Sequence, residues 1–80
     1  MRVEVQLFAN LRAYLPAGTG GDSFPLDVPA GATVADVLRL LRLPEDLEFL
    51  QVVNGHDAIS GQRLTSGDVL CLFPPLAGGS

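Results

Sequence analysis

Residues 2–9 alternate polar and apolar, with Val3, Val5, Leu7 and Ala9 on one side, which predicts a half-buried strand. Phe8 falls on the opposite side, so that face is expected to be partly covered too. Residues 10–14 predict a short helical turn stopped by Pro16, and Gly18, Gly20 and Gly21 mark the segment after it as a surface loop. Residues 23–28 alternate again through Phe24, Leu26 and Val28. The loop before them is too short for a crossover helix, so the two strands should pair antiparallel. Pro25 lacks a ladder donor, so this second strand should have an edge or the proline should sit where no bond is needed.

The period then changes. Thr33 is a good N-cap with Asp36 three residues on, and Val34, Val37, Leu38 and Leu41 follow the spacing of one helical face. Pro44 disfavours helical geometry at Leu43 and should end the helix there. Residues 49–53 predict a third strand closed by Asn54-Gly55, a strong tight-turn signal. Residues 56–63 should be irregular or edge structure, and residues 65–68 a turn. Residues 69–73 are an unbroken apolar run, as expected of a central strand buried on both faces. The order predicts an α+β roll in which a mixed sheet of four to five strands wraps one main helix.

Composition narrows the chemistry. Eighty residues suit one domain, and a hydrophobic content of 48% suits a globular one. No apolar run approaches the ~20 residues of a membrane span, and the alternating N-terminus is not a signal peptide, so a cytoplasmic protein without a membrane role is expected. A net charge of −4 argues against nucleic acid and is compatible with a basic protein partner. One cysteine, Cys71, excludes an internal disulfide and any multi-cysteine metal site, and no bound cofactor or metal is expected. All five cationic residues (Arg2, Arg12, Arg39, Arg42 and Arg63) are arginines, so no lysine is present to receive an isopeptide bond.

The last strand runs straight into Pro74-Pro75, which cannot continue a sheet ladder and stiffen an extended course. Beyond them come Leu76, Ala77 and then Gly78-Gly79, which would let backbone enter a narrow channel where any Cβ would clash. The chain therefore divides into a domain over residues 1–73 and an extended tail over residues 74–80.

The sequence resembles the MoaD/ThiS family of sulfur carriers, its MoaD members most. The resemblance rests on Leu7-Phe8-Ala9-Asn10-Leu11-Arg12, Gly31-Ala32-Thr33-Val34, Val53-Asn54-Gly55, Leu64-Thr65-Ser66-Gly67-Asp68 and the ending Phe73-Pro74-Pro75-Leu76-Ala77-Gly78-Gly79. It implies a ubiquitin-like β-grasp fold and a chain that is a co-substrate without catalytic residues of its own. An E1-like adenylating enzyme using ATP-Mg would activate the Gly79 carboxylate, and a sulfur donor would convert it to a thiocarboxylate. An acceptor enzyme such as the molybdopterin synthase large subunit would take the sulfur. Leu76, Ala77 and Gly78 would fill the partner's channel, with Phe73, Pro74 and Pro75 as the docking stem. Molybdopterin synthesis is the expected destination; thiamine thiazole synthesis and ubiquitin-like protein modification are the alternatives, and a β-grasp binding module that is never activated is a further one.

Ser80 departs from the family pattern, because the Gly79 carbonyl is then held in a peptide bond. Either a peptidase removes Ser80, or Ser80 is foreign to the natural chain, or this member is not a carrier. Three other features have plainer readings. Cys71 has no basic neighbour to lower its pKa and is expected to be a buried structural residue. His56 and Asp57 are expected in a solvated loop, and Glu45, Asp46 and Glu48 form an acidic surface that could meet a partner's basic face.

Overall fold

In the computed structural model, which describes residues 1–44 and 46–75, strand β1 (Arg2–Leu7) follows the alternation. Val3, Val5 and Leu7 are buried, while Arg2 and Glu4 face solvent. Ala9 does not extend the buried face. It is exposed, takes a left-handed φ of 53°, and opens a 3₁₀ helix, Ala9–Tyr14. The cause is a lack of ladder partners: pairing with the next strand begins only at Gln6, and the Phe8 N–H makes a bond to the Leu72 carbonyl at 3.2 Å just before the turn. The 3₁₀ turn lets Leu11 bury completely.

Strand β2 (Ser23–Asp27) pairs antiparallel with β1, Val5 opposite Phe24 and Val3 opposite Leu26. It is an edge strand, and exposed Pro25 lies opposite Glu4, where a missing donor costs little. Helix α1 (Val34–Leu41) opens with a complete capping box. The Asp36 N–H donates to the Thr33 hydroxyl at 3.3 Å, and the Thr33 N–H donates to the Asp36 carboxylate at 2.9 Å. Val34 and Val37 are fully buried, and Leu38 and Leu41 pack half-buried beside them. The helix ends before Leu43, because Arg42 adopts a left-handed φ of 57° and returns its N–H to the Arg39 carbonyl. The stop is thus a local C-cap, reached ahead of the proline.

Strand β3 (Leu50–Val53) turns through Asn54-Gly55, both at positive φ (52° and 85°), as a type I′ hairpin requires. It meets strand β4 (His56–Asp57), a two-residue edge. Strand β5 (Val69–Phe73) lies in the middle, parallel to β1 and antiparallel to β3, in the order β2-β1-β5-β3-β4. Its burial differs from expectation. Leu70 and Leu72 are wholly buried with Val34 and Val37, but Val69, Cys71 and Phe73 are only half-buried. A single helix leaves the outer face of the sheet without a covering layer. This mixed five-stranded sheet on one helix is the expected ubiquitin-like β-grasp. No described helix is long and apolar enough to cross a membrane.

Candidate functional site

The outer face of the sheet carries the feature nearest the tail. Successive residues of a strand point to opposite faces, so Val69, Cys71 and Phe73 share the outer face while Leu70 and Leu72 fill the core. Registry brings β3 alongside: Leu50 opposes Phe73 and Val52 opposes Cys71. Phe8, just past the end of β1, reaches the same surface, its ring stacked on Phe73 with centroids 4.7 Å apart and planes 3° apart. Leu50 is 52% exposed. The result is an apolar strip of Phe8, Phe73, Leu50, Cys71, Val52 and Val69, half-buried apart from exposed Leu50, over which no helix or strand packs among the described residues. Acidic residues border it, with Glu4 beside Val69 and exposed Asp57 beside Val52.

Next to Phe73, Pro74 is half-buried and Pro75 exposed. The predicted docking residues Phe73, Pro74 and Pro75 therefore fall together at one end of the apolar face. Leu76, Ala77, Gly78, Gly79 and Ser80 lie outside the described residues, and so does Glu45 of the acidic patch. Asp46 and Glu48 are exposed. Neither larger open groove is lined by the strip: one of about 420 Å³ lies between Pro29 and Leu40, another of about 350 Å³ between Leu38 and Phe49.

Cys71 sits within the strip, not deep in the core. Its thiol donates to the Gln6 side-chain oxygen at 3.2 Å, and burial pushes its pKa up from the ordinary thiol value, which disfavours the thiolate. His56 and Asp57 are both exposed on β4, and adjacent strand positions diverge, so they form no acid-base pair. Among the described residues no group of three or more His, Cys, Asp or Glu side chains is placed to hold a metal.

A polar network sets where β5 begins. The Asn54 side chain donates to the Asp68 carboxylate at 2.9 Å and accepts from the Val69 N–H at 2.9 Å. Asp68 also accepts from the Thr65 N–H at 2.8 Å and the Thr65 hydroxyl at 3.0 Å. These donors, the Thr65 N–H foremost, hold the Asp68 carboxyl below its ordinary pKa. Two separate sequence motifs, residues 53–55 and 64–68, thus meet at the start of β5. Sequence reasoning read both as turns and missed their union, since nothing local pairs Asn54 with Asp68. It also placed Phe8 on the outer face without finding its partner Phe73.

A ThiS family model matches residues 5–79. Among solved structures, the SAMP1 protein of Haloferax volcanii is 31% identical with a TM-score of 0.76, over 99% of this chain and 100% of that one. A Pyrococcus furiosus protein described as molybdopterin converting factor, subunit 1, is 27% identical with a TM-score of 0.75, over 94% of this chain and 98% of its own. The fold also recurs in the Helicobacter pylori complex of subunits 1 and 2 of molybdopterin-converting factor, at 24% identity and a TM-score of 0.64, over 99% of this chain and 100% of that one. No curated protein sequence matches the chain.

Proposed function

This chain belongs to the ThiS family, and we propose that it carries sulfur as a thiocarboxylate on Gly79 for molybdopterin synthesis. The observation that carries the reading is the reach of the family match, which runs to Gly79 along the tail continuing from the central, doubly paired strand β5. A carboxylate is a poor electrophile and a poor sulfur nucleophile. An adenylating enzyme that spends ATP-Mg turns it into a mixed anhydride with AMP as leaving group. A sulfur donor then replaces that oxygen and leaves a soft nucleophile. The acid-base groups and the metal for these steps belong to the partner enzymes. This chain's own residues supply recognition and reach.

The apolar strip with Glu4 and Asp57 at its border fits a partner surface with an apolar centre and a basic rim. Docking there would set Phe73, Pro74 and Pro75 at the mouth of the partner's site. Leu76, Ala77 and Gly78 would pass inward with Gly79 at the reacting position. The Gly79 carbonyl is bonded to Ser80, so cleavage after Gly79 precedes activation in this scheme. The description of the Pyrococcus protein supports molybdopterin over thiamine thiazole as destination, and the Helicobacter pair is a precedent for a second subunit. The likeness to SAMP1, a small archaeal modifier protein, favours a second reading in which the same activated glycine is joined to target amines.

Co-expression with the adenylating enzyme and sulfur donor of the source organism tests the proposal by intact mass. The expected product lacks Ser80 and has one oxygen replaced by sulfur. An unchanged mass alongside a demonstrably active enzyme would overturn the carrier reading. A ladder of larger conjugates without the sulfur-for-oxygen exchange would move the assignment to modification.

A further inference from the structure

The proposed activation makes every copy of this chain an acylating agent, and other copies are present wherever it works. An acyl-adenylate meets an amine by forming a C–N bond while the C–O bond to phosphate breaks. AMP leaves with the electron pair, and the amine proton goes to solvent. The product is an amide, which would permanently remove two copies from the pool. We propose that the all-arginine surface prevents this loss: the chain presents no side-chain amine that an activated Gly79 of a second copy could acylate. This rests on the carrier reading above.

The fold does not itself demand arginine at these positions. Arg2 and Arg12 each meet one aspartate, Asp27 and Asp22, through Nε at 2.9 Å, and Arg39 meets Asp36 through a single Nη2. All three arginine side chains are more than half exposed. None makes the two-pronged contact with carboxylate for which arginine is special, and a lysine ammonium could serve in a solvated single contact. Arg42 and Arg63 are exposed and have no ion pair among the described residues. The Met1 amino group is part-buried and donates to the Val28 carbonyl at 2.7 Å. What distinguishes arginine here is nucleophilicity. With a lysine pKa near 10.4, the free base at pH 8 is roughly a few parts per thousand for lysine, and for a guanidinium, which holds its proton far more tightly, it is at least about a hundredfold rarer. Resonance further withholds the guanidine lone pair. Positive charge is retained while the acceptor is removed.

The test uses the chain ending at Gly79 as a C-terminal thioester, made by intein cleavage, which supplies the activated acyl group without any enzyme. Wild type, Arg42→Lys and Arg63→Lys are held at pH 8, treated with hydroxylamine to clear adducts on Cys71, and read by intact mass and peptide mapping. The expected outcome for wild type is no amide-linked dimer mapped to an arginine position. Each variant should give amide-linked dimers mapped to position 42 or 63, at least about tenfold above the wild-type level, in line with the difference in free base. Equal dimer yields, or none from either variant within the thioester lifetime, would overturn the proposal. ATP–pyrophosphate exchange with the adenylating enzyme of the source organism, run in parallel on the processed wild type, reads the underlying function separately. Absence of exchange with an enzyme that activates its other substrates would remove the carrier reading and this proposal with it, whatever the dimer yield.

Discussion

Asp68 and Phe73 show how single side chains prepare the C-terminal end. Asp68 accepts from the Thr65 N–H, the Thr65 hydroxyl and the Asn54 amide, and its carboxyl is held below the ordinary value of 3.8. A lowered folded pKa means that this contribution to stability is complete above the unfolded value and is lost as pH falls through the folded one. Asp68→Asn turns an N–H₂ toward groups that are themselves donors. It should destabilise by about 1–2 kcal/mol at neutral pH and flatten the loss of stability on the acid side. Urea titrations from pH 7 to pH 2 would check both, and an unchanged acid limb would refute the role given to this carboxylate. The Phe8–Phe73 stack, at 4.7 Å, should appear as a coupling of about 0.5–1.5 kcal/mol in a double-mutant cycle of Phe8→Ala and Phe73→Ala. Additive losses would mean that each ring acts only through its own burial.

Among the elements, α1 combines a local capping box and a left-handed C-cap with distant support at its start, where the Val34 and Ala35 N–H groups donate to the Gln62 and Ser60 carbonyls. Its capping box satisfies the Thr33 N–H and gives the Asp36 N–H, which also meets the Thr33 carbonyl at 3.1 Å, a side-chain acceptor. Thr33→Ala should cost about 0.5–2 kcal/mol, measured by thermal or urea unfolding, and a loss within error would mean that solvent replaces the cap. Its N-terminus was legible in the sequence because a capping box is a pattern of near neighbours. Its C-terminus was not, since the left-handed Arg42 carries no residue signal of the kind a glycine or asparagine would give. Strand β1 divides in the same way. Its alternation marks the buried face, but the departure at Ala9 follows from where β2 and β5 cease to offer partners.

For the whole molecule, the decisive fact is that one helix covers one face of a five-stranded sheet. Among the described residues the other face carries apolar side chains from β3 and β5 and from Phe8 just past β1, and it ends at Phe73, next to Pro74 and Pro75. Placing a charge there should separate binding from folding. Leu50→Glu, at a half-exposed position, should leave unfolding stability within about 0.5 kcal/mol and weaken binding to the activating enzyme at least about tenfold, as for a residue inside a desolvated interface. Calorimetric titration would read it, and undiminished binding would place the docking surface elsewhere.

How much could be read without coordinates depended on the range of each interaction. The strand and helix order, the capping box, the Asn54-Gly55 hairpin and the central place of β5 were all legible, because each is written in neighbouring residues or in a period. The candidate site was legible only as Phe73, Pro74 and Pro75, since a run of apolar residues cannot say which of its two faces a missing layer leaves bare. Three-dimensional packing alone joined Phe8 to Phe73, tied Asn54 to Asp68 and moved Cys71 from an expected core position to the outer face. Those contacts join residues that strand pairing brings together across gaps of 65 (Phe8 to Phe73, Gln6 to Cys71) and 14 positions (Asn54 to Asp68). Composition and local period hold no record of which distant residue a side chain will meet.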